Sequence, residues 1–435
     1  MTAKTTASGI AYDVQGDRPD VERRDAALQA FVRDFAATAA IHMESCLRCG
    51  MCATACQYYV TTADPKYTPI NKLKPFEQAY HRHVGPFAPV YRFLGLSANV
   101  GIDMLQEWEA LLFDACSLCG RCTLACPMGI DIAELIKEAR HGMYMAGLVP
   151  DRLELMDRTA KAWGSPATPA DDFADIIREA GEANHVPVNV DLPKADYVIT
   201  TAPAELTEHT KALTDIAKIL NKMGLNWTYS SEGFEASNIG YINGDLELQE
   251  KMTRKMIDNA LAIGAHTLIL PECGHAYGAA RWEAARWYGK EIPLRIIHMT
   301  EFLGESVASG KIKLKPIGET ATFHDPCQLA RRGGVTEAPR AVLKALGLEL
   351  TELQDHGALG WCCGGGGGVV SNVRADPLRF KAFELKKQQV EATNTQHFVT
   401  ACGQCRITLT LGAKKFKWDR KVESLLELVA DNLED

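Results

Sequence analysis

The sequence contains no long apolar run and no excess of basic residues, and each absence excludes a class of function. The apolar stretch at 260–271 is shorter than the ~18 to 20 residues that a membrane span needs, so any membrane role would need a partner subunit. A formal net charge of −8 argues against nucleic acid or anionic lipid as the main partner. The polar N-terminus lacks the apolar segment of a secretory signal, which predicts a cytoplasmic protein.

Cysteine is what the sequence has in abundance. A chain of 435 residues with 46% hydrophobic residues exceeds one compact core, which predicts two or three domains. Its fourteen cysteines could form disulfides or bind metal, but disulfide frameworks are typical of small secreted proteins. The cysteine usage therefore favours metal binding.

The first cysteine-rich region contains two runs with the same spacing, Cys-x2-Cys-x2-Cys-x3-Cys. The runs are Cys46, Cys49, Cys52 and Cys56, and Cys116, Cys119, Cys122 and Cys126. This is the spacing of bacterial ferredoxins with two [4Fe–4S] clusters, in which the fourth cysteine of each run binds the other cluster. It predicts one cluster on Cys46, Cys49, Cys52 and Cys126 and another on Cys116, Cys119, Cys122 and Cys56. Zinc, the alternative metal, has no use for eight cysteines in this doubled spacing. Gly50 and Gly120 would let the backbone turn tightly beside the clusters.

Beyond a proline-rich linker, short apolar strands alternate with helical stretches, which is typical of an α/β domain. The strands are predicted at 197–200, 267–270, 321–324 and 397–400. This region is predicted to be duplicated, because the segment TLILPECGHAY resembles HFVTACGQCR. The second copy carries Cys327, Cys362, Cys363, Cys402 and Cys405, and the first has Ala204, Ser230, Ser231, Cys273 and Ala276 in their places.

The predicted fold class is mixed α+β and α/β, with a helical, two-cluster ferredoxin-like domain followed by a duplicated α/β domain. The predicted limits are a disordered tail at 1–22, the ferredoxin-like domain at 23–163, a linker at 164–194, a degenerate first repeat at 195–315 and a complete second repeat at 316–435.

The C-terminal cysteines have an unusual arrangement, because two of them are adjacent. The neighbouring thiolates of Cys362 and Cys363 suit a larger cluster or two adjoining irons better than one tetrahedral ion. The glycines at 364–368 would let the main chain approach such a cluster and offer it N–H groups. Two other interpretations stay open: a flexible glycine loop beside buried cysteines, and a redox dithiol made by Cys402 and Cys405.

This cysteine pattern resembles the cysteine-rich CCG domain of heterodisulfide reductases. Its combination with a two-cluster ferredoxin module resembles the D-type subunit of that enzyme, its relatives in sulfite-reduction and sulfur-oxidation complexes, and the iron–sulfur subunits of glycolate and anaerobic glycerol-3-phosphate dehydrogenases. The resemblance implies that the five C-terminal cysteines hold one noncubane [4Fe–4S] cluster and form the reactive site. The degenerate first repeat argues against a second such cluster, and the sequence itself leaves open whether the C-terminal cluster is cubane or noncubane.

Cys273 and His324 are each open to a structural and a functional interpretation. Cys273 is either a small buried residue or a thiol that faces the CCG site across a pseudo-twofold axis and holds a persulfide or mixed disulfide. The functional interpretation adds Cys273 to the candidate catalytic residues. His324, which ends a predicted strand, either has a structural role as a hydrogen-bond partner of a turn or has a functional role as a proton donor.

Two functions follow as hypotheses. In the first, the chain is an oxidoreductase subunit that works within a heterodisulfide-reductase-like complex and passes electrons to or from a small thiol, disulfide or protein-bound sulfur substrate. In the second, it relays electrons between a flavoprotein dehydrogenase and a quinone or cytochrome. No GxGxxG motif follows a strand, so a flavin would lie in another subunit. A flavoprotein or a membrane cytochrome b is therefore an expected partner, and the latter would hold the chain at the inner face of the membrane.

Overall fold

The computed structural model describes residues 4–5, 11–12, 18–34 and 36–434. The chain forms two compact units. The first comprises Met1–Arg158, Gly240–Leu246 and Gly364–Ala382, and the second comprises Thr159–Ile239, Glu247–Cys363 and Phe383–Asp435. The domain limits given above stay a prediction, and nothing in the sequence pattern indicates that two later segments join the first unit.

The predicted disordered tail at 1–22 lies mostly outside the described residues. In its described part, β1 (Lys4–Thr5) pairs in antiparallel fashion with β2 (Ala11–Tyr12), and the first helix begins at Asp20. The helix thus begins inside the range predicted as tail. Asp20 and Glu22 favour this start, because carboxylates interact well with the positive end of the helix dipole.

The chain is mainly helical from residue 20 to residue 163. Its α-helices are α1 (Asp20–Gln29), α2 (Ala36–Ser45), α3 (Met51–Thr54), α4 (Gln57–Val60), α5 (Pro69–His83), α6 (Ala88–Phe93), α7 (Ile102–Phe113), α8 (Arg121–Leu124), α9 (Ile132–Met145) and α10 (Asp151–Trp163). A π-helical segment, Ala30–Asp34, follows α1. Among the described residues, no helix is both long and apolar enough to cross a membrane.

Both cysteine runs turn sharply at a glycine, as the sequence predicts. Gly50 precedes α3 with a φ of 79°, and Gly120 precedes α8 with a φ of 72°. A side chain disfavours such positive φ values, so glycine lets each run turn directly before the short helix that carries its third cysteine. After the second run, Asp131 caps α9 by accepting the N–H of Glu134 at 3.1 Å.

The second unit contains two four-stranded parallel sheets. The strands are β3 (Tyr197–Ile199), β4 (Trp227–Tyr229), β5 (Thr267–Leu270), β6 (Arg295–His298), β7 (Thr320–His324), β8 (Glu349–Leu350), β9 (His397–Thr400) and β10 (Glu423–Ser424). Their orders are β4-β3-β5-β6 and β10-β9-β7-β8. Numbered from the first strand of each sheet, both orders become 2-1-3-4, so the two halves share one topology and the predicted duplication is confirmed. The four strands predicted from the sequence lie within one residue of those observed.

Helices follow and connect the strands, and some of them pack on an apolar core that both sheets share. The helices are α11 (Ala170–Ala183), α12 (Pro203–Thr207), α13 (Lys211–Lys222), α14 (Ile239–Asn243), α15 (Leu246–Ala262), α16 (Gly274–Tyr277), α17 (Ala284–Tyr288), α18 (Met299–Ala308), α19 (Glu337–Ala345), α20 (Asp376–Thr393), α21 (Gly403–Lys415) and α22 (Leu425–Asp431). Ile269 of the first sheet belongs to the same apolar cluster as Phe323 and Val399 of the second. Because β7 and β9 pair with His324 opposite Thr400, the loops after these two strands leave the sheet at one edge.

Candidate iron–sulfur sites

Two cavities in the first unit are each lined by four cysteines. One is lined by Cys46, Cys49, Cys52 and Cys126, and the other by Cys56, Cys116, Cys119 and Cys122. The fourth cysteine of each run thus lies with the first three of the other run, which is the grouping that the spacing predicts. All fourteen cysteines are free thiols. Four thiols around one cavity are the donor set that a [4Fe–4S] cluster takes, so the residues present fit two such clusters.

The cavity around Cys46 opens towards solvent. Cys46 and Cys49 are both exposed, and Leu47 between them is 68% exposed. Arg48, in the same loop, donates to Glu77 at 2.6 Å, and this hydrogen bond raises the pKa of Arg48. A cluster held here would be accessible to another protein, and the cation in its own loop is already paired with a carboxylate.

The second cavity is lined by partly exposed cysteines and has two buried cations beside it. The ammonium of Lys72 donates to Cys56 Sγ at 3.4 Å. Burial lowers the pKa of Lys72, but the thiolates of Cys56, Cys116 and Cys122 raise it, and the net change is upward. The guanidinium of Arg140 donates to the carbonyl oxygen of Cys116 at 2.8 Å, and burial lowers the pKa of Arg140 to about 10. Buried positive charge therefore accompanies the cysteines of this cavity.

The glycine run 364–368 contributes to the surroundings of the second cavity. A Cβ atom on Gly367 would lie 3.2 Å from the carbonyl oxygen of Cys116, so only glycine fits without a shift. Arg140 donates to the carbonyl oxygen of Gly367 at 2.8 Å, and the Tyr58 hydroxyl donates to that of Gly364 at 2.9 Å. The sequence predicts these glycines beside the C-terminal cysteines, whereas the contacts described for Gly364 and Gly367 lie within the first unit.

Five cysteines of the second unit converge where β7 and β9 end. Cys327 Sγ lies 3.8 Å from Cys362 Sγ, and Cys405 is hydrogen-bonded to both Cys363 and Cys402. The hydrogen bond from Cys405 lowers the pKa of Cys402. All five are at most 8% exposed. A buried set of five thiols exceeds what one tetrahedral ion needs, and it fits an iron–sulfur cluster with an extra thiolate ligand.

The first repeat places its own cysteine beside this set. Cys273 is the N-cap of α16, as Cys402 is the N-cap of α21, so the two residues occupy equivalent positions. The loops touch, because the N–H of Gly403 donates to the carbonyl oxygen of Glu272 at 2.7 Å. Burial raises the pKa of Cys273, and the neighbouring Cys402 adds to the rise. Cys273 is therefore a sixth buried cysteine next to the C-terminal five.

Two buried residues near these cysteines are absent from the predicted ligand set. His324 has a ring nitrogen within 4.8 Å of the sulfurs of Cys363 and Cys405, and burial lowers its pKa well below the usual value. Burial also lowers the pKa of Lys386 in α20 to about 8, although the neighbouring thiolates oppose the change. The position of His324 at a strand end, three residues before Cys327, could have indicated from the sequence that it lies near the cysteines. Lys386 lies in an ordinary helical pattern, which gives no such indication.

Two family models match parts of the chain that contain these sites. Residues 42–130 match the 4Fe-4S dicluster domain, and residues 321–410 match the cysteine-rich domain CCG. The first match contains both N-terminal cysteine runs, and the second contains all five C-terminal cysteines. Both matches agree with iron–sulfur clusters as the cofactors.

Curated relatives resemble the chain over most of its length. The D-type subunit of the dihydromethanophenazine:CoB--CoM heterodisulfide reductase of Methanosarcina barkeri is 27% identical over 411 residues, which cover 92% of this chain and 96% of the relative. The Hdr-like menaquinol oxidoreductase iron–sulfur subunit of Archaeoglobus profundus is 26% identical over 76% of this chain and 68% of its own length. The EtfAB:quinone oxidoreductase of Syntrophomonas wolfei is 27% identical over 88% of this chain and 57% of its own length. The chain therefore combines a 4Fe-4S dicluster domain with a cysteine-rich CCG domain and is similar over most of its length to the D-type subunit of heterodisulfide reductase, which supports an iron–sulfur electron-transfer subunit.

Proposed function

We propose that this chain serves a redox complex in which a disulfide, persulfide or related sulfur group is reduced or formed at the C-terminal cysteines. Electrons pass between a partner protein and this site by way of the two clusters of the first unit. The observation that carries the proposal is the meeting of six buried cysteines, five from the complete repeat and Cys273 from the other. A simple relay could use an ordinary cluster with four thiolates.

The roles of the cysteines follow from this proposal. Cys327, Cys362, Cys363, Cys402 and Cys405 hold the C-terminal cluster, which when bound supplies or accepts electrons one at a time. The sulfur of Cys273 attacks a disulfide RS–SR′, so that a mixed disulfide forms and the thiol RSH leaves with the Cys273 proton. Two electrons and two protons then release R′SH and restore the Cys273 thiol. The electrons come from the partner, and the reverse sequence oxidises two thiols.

The exposed loop around Cys46 and Cys49 is where a partner would deliver or collect electrons. Both cysteines reach the surface, while those of the second cavity are less accessible. The relatives include an Hdr-like menaquinol oxidoreductase subunit and an EtfAB:quinone oxidoreductase. A flavoprotein or a membrane-bound quinone-reactive subunit is accordingly the kind of partner that we propose for this chain.

A second function, a pure electron relay between a flavoprotein and a quinone or cytochrome, also has specific support. Cys273 is only 7% exposed, and burial raises its pKa, so its thiol is neutral at ordinary pH. A neutral thiol is a weak nucleophile. In a relay the C-terminal cluster would be one more carrier, and Cys273 would only fill space beside it.

Electron paramagnetic resonance of the anaerobically purified protein separates the two functions. The protein is oxidised with and without small thiols, iron and sulfide are counted, and the Cys273→Ser variant is examined alongside. For sulfur chemistry, we expect a signal that appears on oxidation, changes when thiol is added, and responds differently in the variant. Spectra that are indifferent to thiol and identical in both proteins would leave the relay as the function.

A further inference from the structure

His324 is a rigidly held histidine whose ring has no partner among the described residues. It is fully buried, and neither Nδ1 nor Nε2 forms a hydrogen bond with any of them. The main chain around it is fixed, because its carbonyl oxygen accepts from the Thr400 hydroxyl at 3.1 Å. The next residue, Asp325, is held by Arg340 through two bonds of 3.0 Å. The main chain is therefore held at this position, with the ring beside the C-terminal cysteines.

Two unpartnered nitrogens in one buried ring are costly. A neutral imidazole carries one N–H donor and one lone-pair acceptor, and leaving either unsatisfied costs ~1 to 3 kcal/mol. Buried polar groups are almost always paired in folded proteins. The ring of His324 is thus expected to have partners other than the described side chains and main chain.

The neighbours of the ring can satisfy its N–H but not its lone pair. The sulfurs of Cys363 and Cys405 lie close to the ring: these two sulfurs and one nitrogen of His324 are all within 4.8 Å of one another. A thiolate accepts hydrogen bonds and has nothing to offer a lone pair. Lys386, a buried cation beside the site, donates instead to Gln389 at 3.3 Å. A metal ion held by these cysteines would supply the partner that the lone pair lacks.

We propose that His324 is a nitrogen ligand to iron at the C-terminal site, next to Cys363 and Cys405. This inference rests on the cluster-binding part of the proposed function and is independent of the sulfur chemistry. Coordination satisfies the lone pair, and the other ring nitrogen can then donate to a sulfur or carbonyl oxygen, as the free nitrogen of metal-bound histidines commonly does.

The test uses the whole protein without added thiol, so that its outcome does not depend on substrate chemistry. Protein grown with ¹⁵N-histidine is compared with unlabelled protein by pulsed electron–nuclear spectroscopy on the signal of the C-terminal site. We expect a strongly coupled nitrogen that responds to the label. His298 provides the matched control, because it is also fully buried at a strand end, and in His298→Asn the new side chain can still cap α18. The coupling should persist in His298→Asn and vanish in His324→Asn.

Two results would overturn the proposal. One is a wild-type spectrum that does not respond to histidine labelling, and the other is a histidine coupling that survives in His324→Asn. Should His324→Asn lose iron from the C-terminal site, His324→Cys offers a thiolate at the same position. Recovery of iron in His324→Cys, with no histidine coupling, supports a ligand role, whereas full iron in His324→Asn with the coupling retained contradicts it.

Discussion

Lys72 offers the sharpest test of how the protein controls a cluster potential. Its fully buried ammonium lies 3.4 Å from Cys56 Sγ, so it stabilises the more negative, reduced state of a cluster held there. For an effective separation of ~6 Å and an effective dielectric constant of ~20, the interaction is ~3 kcal/mol, or ~120 mV for one electron. We expect Lys72→Met to lower the midpoint potential of this cluster by about that amount and to leave the cluster at Cys46 almost unchanged.

The assay is a redox titration followed by electron paramagnetic resonance, with two control variants. Lys72→Arg keeps the buried charge and should retain most of the potential. Lys66→Met removes the same charge from a solvent-exposed position nearby, where water screens it, and should shift the potential several-fold less. Equal, small shifts in Lys72→Met and Lys66→Met would show that the buried ammonium does not set the potential, and the electrostatic argument would be wrong.

Three further predictions concern single residues. Burial raises the pKa of Glu235 to about 7, so the wild-type protein should lose up to ~3 kcal/mol of stability relative to Glu235→Gln as pH rises from about 4.5 to 7. Thermal unfolding of the two proteins at several pH values measures this difference in stability. A difference that does not change with pH would contradict the prediction. Asp131→Ala should cost ~1 kcal/mol and Asp131→Asn much less, because asparagine can also cap α9, and equal unfolding temperatures would contradict the cap. Lys386→Met should lower the midpoint potential of the C-terminal cluster, because it removes a buried positive charge beside the cysteines. Lys387→Met removes a charge that is paired with Glu391 at 2.7 Å and should leave the potential unchanged. Equal shifts of the potential in the two variants would refute the role of Lys386.

Local patterns in the sequence predict β3, β5, β7 and β9 and the grouping of the N-terminal cysteines, but they do not predict the other four strands of the second unit. An apolar run such as 267–270 forms a strand through its own periodicity, and glycine before α3 turns the chain whatever surrounds it. The grouping of Cys126 with the first run is predictable because the spacing is that of two-cluster ferredoxins, in which the fourth cysteine of each run binds the other cluster. The degenerate repeat is visible because strand and Cys-Gly turn recur together.

Contacts between distant segments cannot be predicted from those patterns. Lys72 lies sixteen residues after Cys56 on a helix whose periodicity indicates only a buried face, and a lysine there would ordinarily be expected in solvent. The close approach of Gly367 to the carbonyl of Cys116 joins residues that no local signal connects. His324 is noticeable in the sequence as a strand-end residue, but only the three-dimensional structure shows that both of its ring nitrogens lack partners among the described residues.

The charges around the two N-terminal cavities predict which of the two clusters has the higher midpoint potential. Next to the exposed cavity, Arg48 is neutralised by Glu77 and screened by water, so it contributes little to the potential. The second cavity has the buried cations Lys72 and Arg140. Positive charge in a poorly solvated place favours the reduced cluster, so the second cluster should have the higher midpoint potential. Redox titration of the wild-type protein, with Lys72→Met used to assign the signals, measures this order. If the exposed cluster proves to have the higher potential, burial has outweighed the cations, because taking a negatively charged cluster out of water lowers its potential.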